Sequence, residues 1–350
     1  MSTRREFIAQ TGAILASRDV AVSESVGHER PVTHSALTTC KIPQTDLVVS
    51  RIAFGGGGFG SGAEAARMIN TVYDHGITFF DLADVYQEEP FGDALRSSPS
   101  FRDKIVIQSK CGIVIEGTPP DQSVYLDFSR DHIVSAAEGS LRRLRTDHLD
   151  ILLLHWPDAL VEPEEVARAF DDLRRSGKVR YFGVSNHTPS QIERLKGYVR
   201  QPLVVNQIYL SLENSYLLVG GVTTLWDNSR NPYNYTAAAP TLEYCLMHGI
   251  QVQAWAPLRG SLLNPGDSAT PELKRGAQVL ADMAKKKNTT PSALALAWLL
   301  RHPAKIVPII FSTNPAHVVE DCAADRITLS RSEWYTLLAA TFEIESRRPL

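Results

Sequence analysis

From residue 50 onward, short apolar runs alternate with amphipathic stretches, and the alternation repeats eight times. The apolar runs fall at 51–54, 77–81, 105–110, 151–155, 179–184, 203–207, 250–255 and 306–310. Their interiors are almost wholly apolar, the pattern of parallel strands covered on both faces. The stretches between them read as helices. Residues 63–75 carry Met68, Ile69 and Val72 at helical spacing, and 130–144 carry Ile133, Ala137, Leu141 and Leu144 behind Ser129 as N-cap. Pro163 opens another helix and Gly177 closes it. Eight strand-then-helix units are the number that closes a barrel. The expected fold class is therefore α/β: a (β/α)8 TIM barrel with extended rim loops and a C-terminal helix. The expected domain plan is a polar tail over residues 1–40 and one barrel domain over 41–350.

In such a barrel, ligands bind beyond the carboxyl ends of the strands. Asp81 ends the second apolar run, with Tyr86 five residues later; Lys110 ends the third and His155 the fourth. Each has an ordinary reading by itself. Asp81 could cap a turn, Tyr86 pack, Lys110 be solvated, and His155 be a satisfied core histidine. Their shared position at one end of successive strands favours chemistry. A phenol has a pKa near about 10, and a nearby ammonium favours the phenolate and lowers that value. Asp81 would hold the Lys110 charge in place, and His155 would polarise and orient a carbonyl. This set offers a proton donor with no nucleophile and no metal cage, so no metal is expected. It suits hydride transfer between a cofactor and a carbonyl.

A competing outline comes from the glycines at 55–58 and 60, which satisfy G-x-G-x-x-G after a strand and before a helix. That is the spacing of a Rossmann dinucleotide fingerprint. It would use about six strands and leave Lys110 and His155 without a role. In the barrel reading, Gly56 and Gly57 let backbone approach a cofactor at the rim; a flexible turn is the simpler alternative.

F-D-L-A-D-V-Y over 80–86, the strand ending in Lys110, and L-L-H-W-P over 153–157 resemble the aldo-keto reductase signature. The resemblance continues in order through G-K-V-R-Y-F-G-V-S-N (177–186), V-N-Q (205–207), A-W-A-P-L (254–258) and P-I-I-F-S-T-N (308–314). It covers roughly 42–340, and L-S-R-S-E-W over 329–334 is similar to the bacterial general-oxidoreductase subgroup. The resemblance implies an NAD(P)-dependent oxidoreductase acting on an aldehyde or ketone, or the matching alcohol. Tyr86 would be the proton donor, tuned by Lys110 and Asp81, with His155 orienting the carbonyl. Ser185, Asn186 and Gln207 would bind the nicotinamide carboxamide, and Trp255 would stack on its ring or be a buried aromatic. The loop from Leu258 to Gly260 would fold over the pyrophosphate, and Ala256 would belong to the cofactor set. Ser312, Thr313 and Asn314 would hold a 2′-phosphate, with Ser312 or Thr313 as a helix N-cap the alternative, and Asp321 joins the cofactor set. NADP(H) is favoured and NAD(H) remains open. The family commonly has glycine where Phe311 stands, serine where Ala256 stands, and an arginine gripping the 2′-phosphate where His317 stands. A cofactor-binding regulatory or scaffold barrel with little turnover is the alternative function.

The remaining composition bounds partners and compartment. Net charge is -3 from 36 basic and 39 acidic residues, without a basic stripe, so nucleic acid is not an expected partner. The four cysteines show no CxxC spacing and read as reduced thiols. No apolar run approaches the ~20 residues of a membrane span. A small-molecule carbonyl or alcohol is the expected partner, for a monomer or small homo-oligomer. The compartment is read as cytoplasmic; Thr3-Arg4-Arg5 gives a twin-arginine-like export signal as the alternative. The loop after the sixth strand carries Trp226, Asp227, Asn228, Arg230, Tyr233 and Tyr235. Aromatics mixed with amides suit a lid over a bulky hydroxylated substrate, such as a sugar derivative or a polycyclic carbonyl; a surface or oligomer-contact loop is the alternative.

Overall fold

A computed structural model describes residues 37–56, 62–97, 99–117, 121–219, 240–258, 260 and 262–346. Eight parallel strands close a barrel: β3 (Ala53–Gly55), β4 (Phe79–Asp81), β5 (Val106–Cys111), β8 (Leu149–Leu154), β9 (Val179–Ser185), β10 (Leu203–Tyr209), β11 (Gln251–Trp255) and β12 (Val307–Ile310). They follow one another around the wall in chain order, and β12 returns to β3. Closure excludes the open Rossmann sheet that the glycine spacing suggested. All eight predicted strands overlap the observed ones to within two residues at each end. β4 starts two residues late because Ile77 and Thr78 lie in the approach to the strand.

Two antiparallel hairpins were not visible as such in the sequence. β1 (Thr39–Lys41) pairs with β2 (Val48–Ser50). Their Cys40, Ile42, Leu47 and Val49 pack with Phe79, Ile151, Val205 and Val307 and form the floor of the barrel. Burial of each large apolar side chain there stabilises the fold by about 1.5–3 kcal/mol. The boundary drawn at residue 40 falls inside β1, and Leu37 is already buried. β6 (Ile113–Glu116) pairs with β7 (Ser123–Leu126) in what read as a plain loop after Lys110. Its root is fixed by Gly112 at φ 108°, where a Cβ would stand 2.0 Å from the Phe128 ring.

Helices cover the outer wall, and their starts are written in the sequence. Thr188, Thr270, Thr290 and Asn314 each cap a helix whose first residue is proline. Proline has no N–H to leave unpaired at that position, and the cap oxygen satisfies another orphan donor. Ser129 caps Arg130–Leu144 as expected. The C-terminal helix Arg331–Ser346 docks through stacked Trp298 and Trp334, 4.9 Å between centroids. Each indole N–H donates to the other residue's carbonyl, at 3.1 and 3.0 Å. Among the described residues no helix is long and apolar enough to cross a membrane. The twin-arginine-like segment, Gly57 and the aromatic loop at 226–235 lie outside the described residues.

Candidate active site

The barrel brings the four predicted residues to one end of three neighbouring strands. Asp81 ends β4, Lys110 lies near the end of β5, and His155 follows β8 directly. Lys110 is 1% exposed, so the solvated-lysine reading is wrong: the side chain runs inward along the barrel. Its Nζ pairs with Asp81 Oδ2 at 2.6 Å and donates to the Leu82 carbonyl at 2.7 Å. Asp81 caps no turn with its side chain; it is spent on Lys110, Gln108 and Gln207. Tyr86 sits half-buried above the pair, with Lys110 Nζ 5.3 Å from its ring centroid. The His155 ring lies edge-on to it, 6.0 Å between centroids.

Electrostatics correct one expectation. The ammonium was expected to make the phenol more acidic. The Tyr86 hydroxyl is instead held well above its ordinary range, first by burial and then by the charges of Asp81 and Asp84. The physical reason is that burial strips solvent from the charged form of the phenol, and the two nearby carboxylates oppose that form further. A protonated phenol is what a general acid needs at rest. His155 is buried, and its pKa is driven well below the usual histidine value by burial and then by Lys110. It is a neutral imidazole at pH 7, and its Nδ1 is buried without a partner among the described residues.

A second layer was missed. Asp84 Oδ1 is likewise buried without a hydrogen bond, and its carboxyl is pushed up to about 7 by burial and by Glu88. Glu88 is fully buried, accepting from Ser109 Oγ at 2.8 Å and pairing with Arg143 at 2.8 Å. Arg143 also donates to the Asp84 carbonyl at 3.3 Å, which ties the Asp81–Tyr86 turn to helix Arg130–Leu144. Gln108 and Gln253 lie beneath the four residues, fully buried. A polar residue in the middle of an apolar strand was the available signal for both.

The predicted cofactor residues gather on the far side of the mouth. Ser185 ends β9 and Asn186 follows it, Gln207 is in β10 and Trp255 ends β11. Ser185 Oγ donates to the Gln207 carbonyl at 2.9 Å and accepts from Asn186 Nδ2 at 2.9 Å. Trp255 Nε1 donates to Asn186 Oδ1 at 2.9 Å, and Tyr209 stacks on the Trp255 ring at 4.6 Å. Asn186 at φ 61° and Ala256 at φ 51° are both in the left-handed region. Such strain costs a non-glycine residue about 1–2 kcal/mol and gathers at functional sites. After half-buried Leu258, Gly260 takes φ 123°, where a Cβ would stand 1.9 Å from Glu213 Oε2. Glu213 also accepts from Leu262 N at 2.9 Å and so clamps this loop from the segment that follows β10. Gly56 is buried, and its N–H donates to the Asp81 carbonyl at 2.8 Å.

Ser312 and Thr313 follow β12. The N-cap of helix Pro315–Cys322 is Asn314, whose side chain accepts from Ala316 N; it is not Ser312 or Thr313. Ser312 Oγ lies 3.4 Å from His317 Nδ1, and Asp321 is fully buried in the same helix. Phe311 packs towards Phe54, 6.3 Å between ring centroids. Paired polar side chains, an aromatic wall and a glycine that admits no Cβ fit a nicotinamide dinucleotide along this side of the mouth.

A closed parallel barrel with a buried acid–lysine pair, a phenol and an imidazole at its mouth defines an α/β-barrel enzyme. The chain belongs to the Aldo/keto reductase family, which matches residues 51–340. The family acts on small molecules with nicotinamide cofactors, and this chain is an NAD(P)-dependent oxidoreductase. The oxidoreductase YcsN of Bacillus subtilis is 36% identical over 290 residues, 80% of this chain and 89% of its own length. The 6-dehydroglucose reductase of Agrobacterium fabrum is 34% identical over 302 residues, 83% of this chain and 94% of its own. A glycerol dehydrogenase from Gluconobacter oxydans shares the fold, with a TM-score of 0.73 at 24% identity over 89% of this chain and 97% of its own.

Proposed function

We propose that this enzyme reduces the carbonyl of a hydroxylated, sugar-like substrate with NADP(H), Tyr86 supplying the proton. The observation that carries the reading is the 2.6 Å Lys110–Asp81 pair set beneath Tyr86 and beside His155 at the barrel mouth. When bound, the nicotinamide supplies the hydride. Tyr86, protonated across the physiological range, gives its proton to the oxygen as an alkoxide develops. Lys110 becomes more valuable at that moment, because the phenolate left behind is a new negative charge near its ammonium. Neutral His155 donates one N–H to the carbonyl oxygen and orients it without carrying charge into the site.

Ser185, Asn186, Gln207 and Trp255 hold the nicotinamide end, and the Leu258–Gly260 loop takes the pyrophosphate. Ser312, Thr313 and Asn314 receive the 2′-phosphate beside His317. The two 6-dehydroglucose reductases among the relatives, from Agrobacterium fabrum and Novosphingobium aromaticivorans, support a hydroxylated carbonyl as the substrate class. The test is a carbonyl panel of oxidised sugars, small aldehydes and bulky ketones, with NADPH and NADH side by side. The reading predicts the highest kcat/KM for oxidised sugars with NADPH. A preference for plain aliphatic aldehydes, or for NADH, would contradict the corresponding half.

A further inference from the structure

Gln108 and Gln253 have no part in the reading above, yet both are wholly buried in strands that are otherwise mostly apolar. Buried amides cost stability unless they are hydrogen-bonded. The ladder register puts Gln108 beside Asp81 across β4–β5, and Gln253 beside Gln207 across β10–β11. These pairs stand on opposite walls of the barrel. Their side chains meet across the interior. Gln108 Nε2 donates to Asp81 Oδ1 at 2.6 Å and to Gln253 Oε1 at 2.8 Å. Gln207 Nε2 donates to the same two oxygens at 3.0 and 3.1 Å. Gln253 Nε2 returns a bond to Gln108 Oε1 at 3.0 Å.

The polarity of this ring is forced. The Asp81 carboxylate, paired with Lys110, accepts and does not donate, so both amide nitrogens must face it. Gln253 must then present its oxygen between them. An amide nitrogen carries two hydrogens, and on Gln207 both are used inside the ring. Gln207 therefore has only Oε1, an acceptor, to offer a ligand. Asn186 is fixed the other way. The Trp255 indole can only donate, so Asn186 turns Oδ1 to it and keeps a hydrogen on Nδ2 beyond the bond to Ser185 Oγ. An acceptor and a donor on neighbouring strands complement a carboxamide in a single orientation.

We propose that Gln253 and Gln108 are positioning residues that lock the polarity of Gln207, so that a nicotinamide carboxamide enters with its NH2 toward Gln207 and its oxygen toward Asn186. The charge of the proton-donating machinery thus also sets the orientation of the cofactor head. This rests on the reading that Gln207 and Asn186 face the nicotinamide.

Binding to the whole enzyme tests it, read from quenching of protein fluorescence. The ligands are NADP+, its thionicotinamide analogue (which keeps the NH2), its 3-acetylpyridine analogue (which carries methyl instead) and 2′-phospho-ADP-ribose (which has no nicotinamide). For wild type, the 3-acetylpyridine analogue should bind about tenfold more weakly than NADP+, one neutral hydrogen bond lost, and the thionicotinamide analogue should lose less. Gln253→Met, of similar length but without the amide, leaves Gln207 held by Asp81 Oδ1 alone and so loosens the lock on its polarity. Discrimination against 3-acetylpyridine should then fall to about threefold or less, while 2′-phospho-ADP-ribose binds as in wild type. Undiminished discrimination in Gln253→Met overturns the proposal. Equal weakening of NADP+ and 2′-phospho-ADP-ribose does too, since that is general damage. Should Gln253→Met fail to fold, the wild-type series decides alone: equal affinity for NADP+ and the 3-acetylpyridine analogue overturns the proposal. If wild type gains nothing from the nicotinamide over 2′-phospho-ADP-ribose, the underlying assignment of Gln207 and Asn186 fails first.

Discussion

Replacing Lys110 with methionine removes a buried cation and strands its partner. The two side chains are 1% and 6% exposed and 2.6 Å apart. Breaking a buried pair from one side costs about 3–5 kcal/mol, because the remaining charge is desolvated without compensation. In a barrel of about 310 residues that lowers Tm by about 5–8 °C. The catalytic effect is separate. The ammonium stands 5.3 Å from the Tyr86 ring centroid. At an effective dielectric of about 20, an unpaired ammonium at that distance is worth at most about 3 kcal/mol to a phenolate, or about 200-fold in rate, and the Asp81 carboxylate offsets part of it. The double variant Lys110→Met/Asp81→Asn divides the two effects. It removes the stranded charge, while the amide introduced in place of the Asp81 carboxylate still offers an oxygen to Gln108 and Gln207. Urea unfolding should show most of the lost stability restored, while kcat stays below wild type but above the single variant, because the Asp81 charge that opposes the phenolate has gone with the ammonium. A double variant that recovers wild-type turnover along with stability would refute the electrostatic role of Lys110. A single variant as stable as wild type would refute the burial argument.

Three further perturbations follow from the same geometry. The Asp84 carboxyl, raised to about 7 by burial and Glu88 against Arg143 and Lys110, lies above the value of about 4 in an unfolded chain. Its stabilising contribution is complete below about pH 4 and lost as pH rises through 7. Asp84→Asn should therefore unfold at higher urea than wild type at pH 8 and at equal urea at pH 4; equal midpoints at pH 8 would contradict this. Gly260→Ala puts a methyl into Glu213 at a φ of 123°, so it should cost about 1–3 kcal/mol and raise the cofactor Kd. Unchanged Kd and Tm would show that the loop yields without cost. His317→Arg should improve discrimination for NADPH over NADH by about tenfold or more, as a charge-assisted bond worth about 1.5–3 kcal/mol is gained; an unchanged ratio would move the 2′-phosphate elsewhere.

The architecture was legible because period and count carry it. Eight apolar runs, four of them ending in Asp81, Lys110, His155 or Gln207, leave little choice but a barrel with one chemical end. What escaped had weaker local signals. Both hairpins are short: β1 and β2 span three residues each, and the alternation in β6 and β7 covers four. The polar ring escaped for a different reason. Gln108 and Gln253 are 145 positions apart, and only closure of the barrel brings them together. The direction of the Tyr86 shift was also beyond sequence, since it depends first on burial and then on how closely the Asp81 and Asp84 charges approach. Spacing shows which charges share a rim but not how close each comes to the phenol.

The central claim is that hydride moves between nicotinamide and carbonyl at this mouth while Tyr86 delivers the proton. NADPH deuterated at the transferring C4 position, mixed with an oxidised sugar and read by mass spectrometry of the product, tests it directly. Wild type should place one deuterium in each alcohol formed, and Tyr86→Phe should bind NADPH with wild-type affinity yet form no labelled alcohol. Unlabelled alcohol from wild type, or labelled alcohol from Tyr86→Phe at an undiminished rate, would contradict it.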